Sequence, residues 1–142
     1  MNPARTGCSA SVALGLCLAI ATGCGGGAGG GILPVPTDPV LADIQSRVFT
    51  PRCATSGCHV TGTAAFDMVL STGQSAGNII GIPSDQDDTF MRVDPGNAAD
   101  SWLYMKVTAD SRITGDPMPS LSSPLRQADL DMIRDWIDQG AQ

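Results

Sequence analysis

The chain has 142 residues, enough for one compact domain and too few for two. Eight Lys and Arg stand against fourteen Asp and no Glu, a net charge of −6. No basic stripe is present, which excludes a nucleic-acid surface and leaves an acidic exterior suited to solubility and to encounter with basic surfaces.

The first segment is expected to be removed. Arg5 gives a positive start, and a small and apolar run extends from Cys8 to Thr22, shorter than the roughly 20 residues a spanning helix needs. Residues 1–23 therefore read as a secretory signal. The run closes on "IATGCGGG", which resembles a bacterial lipoprotein signal with Cys24 as the lipidated first residue of the mature chain. Six of the seven residues after Cys24 are glycine, and Pro34, Pro36 and Pro39 stiffen the stretch beyond them. Residues 24–39 thus form a Gly- and Pro-rich tether with an r.m.s. reach of about 20 Å, and the domain proper is expected over 40–142. Of the five cysteines only Cys53 and Cys58 then remain, in an oxidising compartment where a pair is bridged or otherwise engaged.

Within the domain, Val40, Leu41, Ile44 and Val48 fall at helical spacing behind Asp38 and Pro39, predicting a helix that Pro51 ends. Residues 60–98 are rich in turn formers, with short apolar pieces at 66–70 and 78–82 that could be strand-like or simple turns. "NAADSWLYMKV" predicts a short helix. In "RQADLDMIRDWIDQGA" Leu130, Ile133 and Ile137 share one helical face, Met132 and Trp136 form an i, i+4 pair, and Gly140 is a stop. "DQDD" at Asp85 to Asp88 lacks the alternation and closing glutamate of an EF-hand and reads as a solvated loop. The outline is all-α with long loops. Six aromatics make a thin core, and small exported domains in that position need a disulfide, a metal or a cofactor.

"CATSGCH", residues 53–59, carries the only histidine. Two cysteines with a histidine directly after the second suit covalent haem attachment, but that motif has two residues between the cysteines and this one has four. The spacer must loop out, and Gly57 can adopt the positive φ such a bulge requires. A Cys53–Cys58 disulfide and a zinc or copper site of Cys53, Cys58 and His59, with or without Met118, are the alternatives. If iron is bound, a second histidine ligand is not available, which leaves methionine. Among Met68, Met91, Met105, Met118 and Met132, those at 105 and 132 read as core, while Met118 is held between Pro117 and Pro119 in a loop.

Four pieces in order, "CATSGCH", "RVDPGNAADSWLYMKV", "MP" and "LSSPLRQADLDMIRDWIDQGA", resemble small exported bacterial cytochrome c domains, many of them lipoproteins of planctomycete and myxobacterial kind. The likeness covers roughly residues 40–141. It implies a cytochrome c-like fold of few helices with long loops wrapped around a haem. By it Cys53 and Cys58 would carry haem c, His59 would be the proximal iron ligand and Met118 the distal one. The function implied is one-electron transfer between redox partner proteins in the cell envelope, facing the periplasm or cell surface, with membrane attachment through lipid at Cys24. An electron carrier is expected rather than an enzyme, since no nucleophile–base pair is evident. The alternative is a haem-free binding or structural module of the same fold with Cys53 and Cys58 bridged.

Overall fold

The computed structural model describes residues 34–142. The signal at 1–23, the lipidation site Cys24 and the first part of the tether lie outside the described residues. What is described of the tether belongs to the domain. Val35 packs against the core and Pro39 is buried, so the domain takes in residues before the expected boundary at 40.

The first helix, α1 (Leu41–Ile44), runs without a break into a π-helical stretch, Gln45–Cys53. Its start lies beyond Asp38 and Pro39. The Asp43 carboxylate reaches back to accept from the Val40 N–H at 3.1 Å, which fixes the first turn there. The end also differs from expectation, because Pro51 lies inside the helical stretch. In i→i+5 bonding the donor that Pro51 lacks would have met the Ser46 carbonyl; both residues face solvent, where water can take that carbonyl. The wide turn carries the chain on to Cys53.

Residues 60–98 contain a 3₁₀ turn, Ala65–Asp67, and a short helix, α2 (Ser75–Ile79). Neither apolar piece is a strand. Isolated bridges pair Ile80 with Val93, Pro83 with Met91 and Met91 with Ser101, and among the described residues there is no other sheet. A second 3₁₀ turn, Ala98–Asp100, precedes α3 (Trp102–Thr108). The helix expected over the whole of "NAADSWLYMKV" is interrupted at Ser101, whose extended backbone (φ −82°, ψ 120°) separates the two. Ser101 is fully buried, and its hydroxyl bonds the Asn97 carbonyl and the Asp94 N–H.

The last helix, α4 (Gln127–Asp138), matches its periodicity. Met132, Ile133, Trp136 and Ile137 are buried, and Gly140 ends it with φ +100°. Trp136 meets Phe49 edge-on at 6.5 Å, and the Gly96 N–H bonds the Ile137 carbonyl. The Leu41 N–H and the Trp136 indole N–H both bond the Gln142 carbonyl, which ties the start of α1 to the segment after α4. The fold is all-α. No helix among the described residues is long and apolar enough to cross a membrane.

Candidate functional site

The π-helical stretch delivers Cys53 at its end, and the spacer then loops out. Thr55 to Cys58 closes a turn, with the Cys58 N–H on the Thr55 carbonyl at 2.9 Å and Gly57 at φ +81°. The His59 N–H returns to the Cys53 carbonyl at 3.1 Å. With two residues between the cysteines, the histidine would stand four places after the first, where an α-helical bond joins the same two groups. The longer spacer reaches that closure as an excursion from it.

His59 is pinned twice to one segment. Its carbonyl accepts from the Leu70 N–H at 2.8 Å, and its ring Nδ1 lies 3.0 Å from the Met68 carbonyl. A carbonyl only accepts, so Nδ1 carries the proton and Nε2 the lone pair. Nε2 makes no hydrogen bond. Since no buried side-chain nitrogen or oxygen among the described residues lacks a partner, it is open to the cavity that His59 lines. Burial lowers the pKa of His59 below 6.5 against the effect of the Met68 carbonyl, and Arg92 adds to the lowering, so the ring is neutral at pH 7.

Phe66 and Asp67 stand in consecutive left-handed conformations (φ 55° and 49°), uncommon without glycine. This kink turns the Phe66 carbonyl to Arg92 and precedes the Met68 carbonyl that holds His59. Arg92 is buried and also bonds the Asn78 carbonyl and the Asp85 carboxylate. Asp87 caps Thr89 through its backbone N–H and its hydroxyl. Asp85 and Asp87 of the acidic run are thus occupied with bonds to Arg92 and Thr89. No three His, Cys or Asp side chains among the described residues could hold a metal ion, so the zinc or copper alternative of Cys53, Cys58 and His59 is not formed.

Cys53, Cys58, His59 and Met118 all line one cavity of about 520 Å³, within the range of pockets that hold cofactors. Its wall is mostly apolar, with Phe49, Leu70, Leu103 and Ile133 shared with the core. Cys53 and Cys58 stand as free thiols. Burial pushes the Cys53 thiol up to about 11, with Arg52 acting in the opposite direction and Cys58 with it. Of the other methionines, Met105 and Met132 are core, Met91 is partly exposed on the surface, and Met68 lines the cavity on the histidine side. Arg92 and Lys106 also line it, and sequence reasoning passed over both. Lys106 had a signal, a lone cation between Met105 and Val107 in an apolar run.

Comparison with protein-family models, with curated proteins and with solved structures finds no match to this chain.

Proposed function

We propose that this protein is a c-type cytochrome, an electron carrier of the cell envelope with a cytochrome c-like fold. The observation that carries the reading is the cavity that Cys53, Cys58, His59 and Met118 share, with the His59 ring fixed so that its Nε2 lone pair is free. The residues fit a haem. Two unbonded thiols would hold it as thioethers, each S–H adding across one vinyl double bond with no oxidant consumed. His59 Nε2 and the Met118 sulfur would be its iron ligands, and methionine as one of them raises the reduction potential. Bound there, the haem supplies iron that exchanges one electron between its ferrous and ferric states. The chain's part is to hold and shield it. Leu70, Leu103 and Ile133 give it an apolar wall, while the Leu70 N–H holds the His59 main chain and the Met68 carbonyl keeps the imidazole from turning.

On the same reading, residues 1–23 direct export and lipid at Cys24 anchors the domain, where it meets redox partner proteins. The test is the absorption spectrum of protein made with haem-attachment machinery, followed by a pyridine haemochrome assay. A sharp ferrous α-band and haem that survives acid–acetone extraction are expected. A colourless protein, lighter than the dithiol by two protons, would instead mean a Cys53–Cys58 disulfide and would end the cytochrome reading.

A further inference from the structure

Lys106 is the only lysine of the chain, 6 % exposed, in the wall of the cavity. Among the described residues no carboxylate bonds its ammonium. Nζ donates to two backbone carbonyls, Thr114 at 2.7 Å and Asp116 at 2.9 Å, and lies 5.8 Å from the centroid of the Trp102 ring. Its own carbonyl accepts from the Met118 N–H at 2.8 Å. All three hydrogen bonds join one residue to one loop: the side chain makes two, and the third, main chain to main chain and common to any residue at 106, ends on Met118.

The local sequence explains why one residue is given this task. Pro117 and Pro119 have no N–H, so Met118 supplies the only backbone donor of the three, and Lys106 takes it. Gly115, at φ +68°, turns the chain so that the carbonyls on either side of it meet at one point. An ammonium has three donors radiating from a single atom and can gather both. Burying a cation without a paired carboxylate is costly. An apolar side chain like Met105 or Val107 would avoid that cost but would leave the two carbonyls ungathered.

We propose that Lys106 is the positioning residue that holds Met118 at the cavity wall as the distal iron ligand, an assignment that rests on the cytochrome reading. Haem-loaded wild type, Lys106→Met and Lys106→Gln are to be compared by haem content, by the weak ferric band at the red end of the visible spectrum that marks methionine ligation, and by redox titration. Both variants are expected to keep covalent haem at the wild-type ratio, to lose most of the red band and to titrate at a lower potential. A merely structural role would lower the denaturation midpoint and leave the band in place. Should Lys106→Met fail to fold, Lys106→Gln, polar and able to reach one carbonyl, carries the comparison. A full-strength red band in a folded variant overturns the assignment. So does a wild type that carries haem without the band, which leaves the cytochrome reading standing. A wild type with no haem overturns that reading, and the assignment with it.

Discussion

Burial acts on Cys53 and His59 in opposite senses, since it disfavours the charged form of each. The Cys53 thiol is pushed from 9.0 to about 11, so at pH 8 its thiolate is about 100-fold scarcer than that of an ordinary cysteine. In haem-free protein, iodoacetamide should modify Cys53 on the order of 100-fold more slowly in buffer than in urea, read by peptide mass spectrometry. Equal rates would mean that the thiol is not buried. For His59 the folded pKa is lowered below 6.5, so the unfolded chain binds the proton more readily. The stability contribution is complete above pH 6.5 and is lost as pH falls toward the folded value. The urea midpoint of haem-free protein should therefore drop between pH 7.5 and 5.5, and less so in His59→Gln. With one histidine in the chain, no other side chain with an ordinary pKa titrates in that window.

Gln45 shows how one element is joined to the next. Its side chain donates to the Leu70 carbonyl at 2.9 Å and the Thr50 hydroxyl at 3.0 Å, and accepts from the Ser75 hydroxyl at 2.7 Å. The π-helical stretch, the segment that pins His59 and α2 thus meet on one buried amide. Gln45→Met keeps the volume but leaves Ser75 and Leu70 without a partner, at a cost of about 2 kcal/mol or more. Urea denaturation would measure it, and an unchanged midpoint would refute the role given to the network. Nothing local announces such a contact, because Gln45 and Ser75 are thirty residues apart. The elements legible in sequence are those whose own pattern suffices. Helix α4 repeats its apolar face over three turns and ends on a glycine, and both features stand in the structure. The helix that reaches Cys53 was legible only in part, because a period of 3.6 does not describe i→i+5 bonding and Pro51 reads as a stop. Segments as short as Ala65–Asp67 and Ser75–Ile79 hold too few residues to show any period.

Charge is distributed unevenly over the domain. Arg52, Arg92 and Lys106 line the cavity, and Asp85 is the only one of fourteen aspartates that does. The exterior is correspondingly more acidic than the net charge conveys. On the cytochrome reading, oxidation by a cationic metal complex should slow as ionic strength rises, and oxidation by an anionic one should quicken, both followed by stopped flow. The reverse pattern, with the anionic reagent slowing and the cationic one quickening as salt rises, would place the electron's exit at the basic wall. How the site residues gather was readable for the neighbours in "CATSGCH" and, through its flanking prolines, for Met118. Arg92 was not readable, since its place is set by the Phe66 carbonyl twenty-six residues away and by the left-handed kink that presents it.

The single hydrogen bond from the His59 N–H to the Cys53 carbonyl has a consequence for how such motifs diversify. A ring closed at its base is indifferent to what hangs from it. Thr55, Ser56 and Gly57 are exposed at the mouth of the cavity they help to line, and the carbonyl and amide beneath them stay joined. A spacer of another length could therefore reach the same closure, as the two-residue spacer does through an α-helical bond.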